Sequence, residues 1–144
     1  MHLLLFSDPV KRREKGGMRD ERRKKLGVMI KLSTITERKK LLNEELDRII
    51  AVIKRGYKPE KIILFGSLAD GKVHEWSDID LLIVKKTRKR PIERCLEVCR
   101  LIRPKIGIDL FIYTPEEYER LVNERFSFLI NILKMGKVLY EKRI

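Results

Sequence analysis

The sequence contains few of the residues that build disulfide frameworks or zinc sites. It has two cysteines, two histidines and one tryptophan among 144 residues. Two cysteines cannot form a disulfide framework, so we expect the reducing environment of the cytoplasm. So few thiol and imidazole ligands also argue against a zinc site. The longest apolar runs, Ile62–Phe65 and Leu81–Val84, are far shorter than the roughly 20 residues that cross a membrane, and we expect no membrane partner.

Positive charge is unevenly distributed along the chain. There are 34 Lys and Arg against 21 Asp and Glu, a net charge of +13, and residues 1–31 alone hold ten basic and four acidic residues. This pattern predicts a basic, flexible N-terminal extension over residues 1–32 and one folded domain over residues 33–144. Such an arm would suit RNA, DNA or a partner protein. We favour a solvated tail, or a translation start at Met18 or Met29.

The rest of the chain alternates between helical and strand patterns. Thr34 and Glu37 form a capping-box pattern that predicts a helix over residues 35–55, ended by Gly56. Further helices are expected directly after Gly66, from Pro91, and over residues 115–135 with a break near residues 123–127. Strands are predicted over Lys61–Phe65, within Ser77–Val84, over Gly107–Tyr113 and over Val138–Tyr140. The order α-β-α-β-α-β-α-β predicts an α+β sheet with helices packed on it.

Three aspartates lie where carboxylates are unusual. Asp78 and Asp80 begin a strand that continues as apolar Leu81–Val84, and Asp109 interrupts the otherwise apolar strand Gly107–Tyr113. Residues i and i+2 of a strand point to one face, so the first two carboxylates converge, and a hard cation such as Mg²⁺ would neutralise them. If the two strands are neighbours, Asp109 completes a cluster able to hold two metal ions. The alternatives are a surface capping pair for the first two and a strand-edge ion pair for Asp109.

Gly66 and Ser67 follow the first strand of the domain directly. A strand that turns into a short helix aims backbone N–H groups and a hydroxyl at an anion, and glycine permits the close approach of a phosphate. A phosphate-binding turn together with metal-binding carboxylates indicates phosphoryl or nucleotidyl transfer.

These residues carry a family resemblance. Gly66-Ser67, ten further residues and then Asp78-Ile79-Asp80 resemble the signature of the DNA polymerase beta-like nucleotidyltransferases. The small size, the Lys72–Ser77 connection and the ending Leu139–Glu141 resemble the minimal nucleotidyltransferase (MNT) branch. The similarity covers about residues 34–141, which makes residues 33–144 the expected nucleotidyltransferase domain.

The resemblance implies a fold, a site and a partner. It implies a mixed sheet with flanking helices, Asp78 and Asp80 as metal ligands, and Asp109 as a third ligand and base toward the acceptor hydroxyl. Gly66 and Ser67 would hold the triphosphate of ATP. The aspartates would bind two Mg²⁺ ions. MNT proteins are commonly paired with a HEPN-domain toxin, and some act as antitoxins that transfer AMP to a toxin tyrosine.

The phosphate turn departs from the family pattern. Many relatives have Gly-Ser-Arg-Ala-Arg-Gly, whereas this chain has Leu68 and Asp70 in place of the two arginines. Weaker nucleotide binding is expected unless Lys72, or the basic residues of the 85–90 loop, compensate. Two alternatives therefore stay open: an antitoxin of weak activity that neutralises its partner by binding alone, and a transferase that acts on RNA or a small molecule.

Overall fold

The computed structural model describes residues 2–4 and 21–143; the other residues of the predicted N-terminal extension lie outside the described part of the chain. The elements in chain order are β1 His2–Leu4, α1 Glu21–Gly56, β2 Lys61–Phe65, α2 Ser67–Asp70, β3 Ile79–Val84, α3 Pro91–Ile102, β4 Ile108–Tyr113, α4 Pro115–Asn123, α5 Ser127–Met135 and β5 Lys137–Glu141. The predicted α+β class is confirmed. The strand β1 was not expected from the sequence.

The strands form one mixed, five-stranded sheet in the order β1-β4-β3-β2-β5. The central strands β3 and β4 are parallel, whereas β2 is antiparallel to both β3 and β5, and β1 is antiparallel to β4. The helix α3 connects the two parallel strands, as a parallel connection requires. The carboxyl-bearing starts of β3 and β4 therefore lie at one edge of the sheet, side by side.

The sheet separates two apolar cores. On one face, Ile62, Leu81 and Leu110 pack against α1 and α3 in a cluster that includes Ile49 and Val98. On the other face, Ile63, Leu82 and Val84 pack with the residues of α4 and α5. Alternation along each strand divides the side chains between the two faces. Both faces of β3 are covered, which explains why Leu81–Val84 is continuously apolar.

The start of the first helix differs from the prediction. The helix α1 begins at Glu21 rather than near residue 35, so it crosses the predicted domain boundary without interruption. Thr34 and Thr36 are not caps: their hydroxyls donate to the carbonyl oxygens of Ile30 and Leu32 at 2.9 Å, a bond made inside a helix. The preceding Lys, Arg, Leu and Met residues favour helix and extend it toward the N-terminus.

The later helix boundaries agree with their sequence signals. Pro91 begins α3, and Thr114 caps α4 by accepting from the backbone N–H of Glu117 at 3.2 Å. The predicted break near residues 123–127 is confirmed, because α4 ends at Asn123 and α5 begins at Ser127. None of the helices in the described residues is long and apolar enough to cross a membrane.

Candidate active site

Two of the predicted site residues lie opposite each other on the central strands. Asp80 of β3 and Asp109 of β4 are paired in the parallel register, and both are partly exposed. Residues in register point to the same face of a sheet, and here that face carries α4 and α5, because it also holds Leu82 and Phe111. The expectation that the two aspartate-bearing strands are neighbours is confirmed.

Two glycines leave space for the carboxylates. A Cβ atom on Gly66 would overlap Oδ2 of Asp80, and a Cβ atom on Gly107 would overlap Oδ1 of Asp78. Gly107 precedes Asp109 by two residues, so Asp78 lies over the backbone that leads into Asp109. All three aspartates thus lie near the end of the sheet where β3 and β4 begin, and any larger residue at either glycine would displace a carboxylate.

The phosphate turn has the predicted strand–turn–helix geometry. Gly66 follows β2 directly, with φ of 73° and ψ of −160°, a conformation that favours glycine, and α2 begins at the next residue. The hydroxyl of Ser67 donates to the hydroxyl oxygen of Ser77 at 2.9 Å, and the backbone N–H of His74 donates to the same oxygen at 2.9 Å. These bonds tie the start of α2 to the segment that leads into Asp78.

A buried arginine of α1 holds that same segment. Arg38 is 1% exposed. Its Nε and Nη2 atoms donate to the carbonyl oxygen of Ser77 at 2.9 and 2.8 Å, and Nη2 lies 3.5 Å from Oδ1 of Asp78. Sequence reasoning missed this residue. The available signal was its place on the apolar stripe of the helix, four residues before Leu42, where a charge needs a buried partner.

The departure from the family pattern has a structural basis at one position. Leu68 is 7% exposed and belongs to the core on the α1 side of the sheet, so it packs inward. Asp70 is exposed and accepts from the backbone N–H of Lys72 at 2.8 Å, which closes the turn after α2. Lys72 is exposed on that turn. A cation near the phosphates therefore has to come from Lys72 or from a neighbouring loop.

An aromatic cluster borders the carboxylates. Phe65 pairs with Asp80 in the antiparallel register, so both project from the α5 face. The Phe65 ring lies 5.7 Å from Phe111 and 5.8 Å from Phe128 in edge-to-face contacts. Phe128 in turn contacts Phe126, which is 45% exposed. The wall beside Asp80 is thus aromatic and apolar.

The donor chemistry of the three aspartates suits Mg²⁺, which prefers carboxylate oxygens and substrate phosphates over a closed protein cage. Within residues 21–143, no set of three or more His, Cys, Asp or Glu side chains is gathered closely enough to hold a metal ion without rearrangement. Asp80 and Asp109 provide hard oxygen donors on one face of the sheet, and Asp78 lies beside Gly107 just before β3. A nucleotide would have to supply the remaining ligands.

The chain matches known proteins over most of its folded part. Residues 47–144 match the family model described as "Polymerase beta, Nucleotidyltransferase". A "putative protein adenylyltransferase" of Methanocaldococcus jannaschii is 34% identical over 105 residues, which span 69% of this chain and 100% of the relative. A second protein of that name and organism is 42% identical over 109 residues, 72% of this chain and 74% of the relative.

A solved structure has the same fold. The crystal structure of a "putative nucleotidyltransferase" from Sulfolobus solfataricus superimposes with a TM-score of 0.54 at 21% identity, and covers 76% of this chain and 88% of that one. The family model spans more than half of the chain and includes the glycine turn and all three aspartates. The chain therefore belongs to the polymerase beta nucleotidyltransferase family and is a nucleotidyltransferase.

Proposed function

We propose that this protein transfers AMP from ATP to a hydroxyl group of a partner protein, with Asp78, Asp80 and Asp109 as its catalytic carboxylates. The observation that carries the proposal is the pairing of Asp80 with Asp109 across two parallel strands, next to a glycine turn. The names of the two archaeal relatives, both called protein adenylyltransferases, support AMP as the transferred group and protein as the acceptor class.

The chemistry is an in-line displacement at the α-phosphorus. The acceptor oxygen forms a bond to that phosphorus while the bond to the pyrophosphate oxygen breaks, and pyrophosphate leaves. The proton of the acceptor hydroxyl passes to a carboxylate oxygen of Asp109. Mg²⁺, held by Asp78, Asp80 and Asp109, would neutralise the charge that develops on the phosphates. Both faces of the sheet are packed, which holds Asp80 and Asp109 in a fixed position relative to each other.

The triphosphate is expected at the turn between β2 and α2. Gly66 carries no side chain that would block a phosphate, and the Ser67 hydroxyl lies at the first residue of α2. Lys72 is the first cation after the turn along the chain and would take the place of the arginines found in many relatives. Gly66 and Lys72 are exposed and Ser67 is partly exposed, so a nucleotide can reach all three residues.

The proposed acceptor is a tyrosine of a partner protein. The resemblance to MNT proteins suggests a HEPN-domain toxin with an acceptor tyrosine, for which this chain would act as the antitoxin in the cytoplasm. A HEPN protein encoded by the adjacent gene would be the first acceptor to test.

The reaction is tested with ATP labelled in one phosphate at a time. Incubation with the partner protein and Mg²⁺ should transfer label from the α-phosphate and none from the γ-phosphate, and a chelator should abolish transfer. Transfer of the γ-label would identify a kinase instead. Absence of transfer to the partner protein, or transfer to RNA alone, would overturn the proposal.

A second candidate function is neutralisation by binding alone. Leu68, a core residue in place of a cation, favours it because the turn then lacks a charge that would hold the triphosphate. The discriminating variant is Asp78→Asn/Asp80→Asn. If this variant still rescues cells from the partner toxin as well as the original chain does, binding suffices; if rescue is lost while the two proteins still associate, the transfer is required.

A further inference from the structure

The first part of α1 carries apolar side chains that its own domain does not cover. The helix begins at Glu21, whereas Arg38 is its first buried residue. Between them, five apolar side chains are 51–66% exposed: Leu26, Val28, Met29, Ile30 and Leu32. Scattered apolar residues are ordinary on a surface, but five exposed ones within seven consecutive positions of one helix indicate an interaction surface.

Leu26 and Ile30 belong to a longer series of exposed residues whose spacings are the same when read from either end. Six exposed residues follow one another at separations of 3, 4, 7, 4 and 3 positions, which keeps them within one narrow sector of the helix. We call them the α1 stripe; they are Arg23, Leu26, Ile30, Glu37, Leu41 and Glu44. The buried residues of α1 lie about a third of a turn away, so the stripe lies on a flank of the helix, outside the face that packs on the sheet.

The chemistry of the stripe is complementary to itself when reversed. Because the separations are the same from either end, an antiparallel copy of α1 places Arg23 opposite Glu44 and Leu26 opposite Leu41. Leu41 is 45% exposed and the Glu44 side chain is 63% exposed, so both are accessible to a partner. Ile30 meets the methylene groups of Glu37 near the centre. A parallel copy would instead oppose Arg23 to Arg23 and Glu44 to Glu44, which costs free energy.

We propose that the α1 stripe is a dimer interface whose occupant is the same stripe of a second copy of this chain. The pairing is isologous, as in most homodimers, because one surface is used twice around a two-fold axis. The contact runs for about 32 Å along the helices at 1.5 Å per residue. The inference is independent of the proposed reaction.

Sedimentation equilibrium of the full chain tests this interface. The wild type is expected to be a dimer, and Leu41→Glu should be a monomer, because it places a carboxylate against Leu26 of the other copy. Leu133→Glu is the matched control: Leu133 is 39% exposed on α5, outside the stripe, and its substitution should leave the dimer intact. A melting curve for each variant separates loss of the dimer from loss of the fold.

Charge reversal then tests the antiparallel register. Glu44→Arg and Arg23→Glu should each weaken the dimer by about tenfold or more, and the double variant should restore it, because the pairs are re-formed with opposite polarity. A wild-type chain that is monomeric at all concentrations would overturn the proposal. So would a dimer that survives Leu41→Glu, or a double variant that dimerises no better than the single ones.

Discussion

A buried arginine holds the segment that carries Asp78. The guanidinium of Arg38 gives two hydrogen bonds to one carbonyl oxygen of Ser77 and approaches the next carboxylate. Because the guanidinium is planar, its two N–H groups fix both the position and the direction of the Ser77 carbonyl, which a lysine ammonium cannot do. Arg38 is therefore a positioning residue in our account, since it acts on the reaction through Asp78.

We expect Arg38→Met and Arg38→Lys to lower the rate of AMP transfer and to raise the Mg²⁺ concentration needed for half-maximal activity. The unfolding free energy should also fall by about 1–3 kcal/mol in the methionine variant, because the Ser77 carbonyl loses two donors. Arg100→Met, at an exposed position of α3, is the control. An Arg38→Lys variant with an unchanged Mg²⁺ dependence would contradict the positioning role.

Gly107 is needed for the place that Asp78 occupies. Gly107→Ala would put a Cβ atom against the Asp78 carboxylate, so we expect transfer activity to fall by about tenfold or more as the carboxylate moves. Gly27→Ala is the contrasting change: no atom lies within 4 Å of a Cβ built there, and alanine should stabilise the helix by about 0.5–1 kcal/mol. Activity and urea-unfolding measurements on both variants check this contrast. Equal activities of Gly107→Ala and Gly27→Ala would contradict the role assigned to Gly107.

The same short sequence pattern predicts a helix start correctly at one position of this chain and wrongly at another. Two Thr-x-x-Glu patterns occur, at Thr34 and at Thr114, but only the second caps a helix. A capping box forms only where the threonine is at the N-cap, so that the chain before it lies outside the helix. Pro115 follows Thr114 and starts a helix there, whereas good helix formers precede Thr34 and continue the helix through it.

This difference makes a quantitative prediction. Thr114→Ala should lower the free energy of unfolding by about 1 kcal/mol, because the N–H of Glu117 loses its acceptor. Thr34→Ala should change it by no more than about 0.5 kcal/mol, since its hydroxyl bonds only to a carbonyl one turn earlier. Thermal and urea denaturation of both variants would reveal the reverse order if α1 began near residue 35.

Local periodicity predicted most of the elements, but long-range pairing decided the site. The strand starts, the turn at Gly66 and the break before Ser127 follow from turn residues and apolar patterns close in sequence. The contact between Arg38 and Ser77 joins residues 39 positions apart, and nothing local indicates it. The strand β1 has three residues, too few for a periodic signal. The adjacency of Asp80 and Asp109 could be stated only as a condition until the register of β3 and β4 was known.

At the scale of the whole molecule, one ion pair links the two layers of helices. Arg94 of α3 donates to both carboxylate oxygens of Glu117 in α4 at 2.9 Å, and also to the carbonyl oxygen of Ile112 in β4 at 3.2 Å. The hydrogen bond from Arg94 is the main cause that lowers the pKa of Glu117 below its ordinary value of 4.5. The folded state thus holds this carboxylate ionised more strongly than the unfolded state does.

The pair should make stability depend on pH in the acid range. A lowered pKa in the folded state contributes stability above pH 4.5, and this contribution is lost as pH falls below that value. We expect Glu117→Gln to lower the unfolding free energy by about 1–3 kcal/mol at pH 7 and the difference from wild type to shrink toward pH 3. Glu116→Gln, at an exposed position beside it, should show no such difference. A constant difference across this range would contradict the assignment.

The most direct test of the account is the rate of α-labelled AMP transfer to the acceptor by three matched aspartate-to-asparagine variants. Asp80→Asn and Asp109→Asn should each slow transfer by about a hundredfold or more, since each removes a charge from the reacting centre. Asp47→Asn, at an exposed position on α1, should transfer at the wild-type rate. Transfer by Asp80→Asn or Asp109→Asn at the rate of Asp47→Asn would contradict the assignment of the active site to the paired strands β3 and β4.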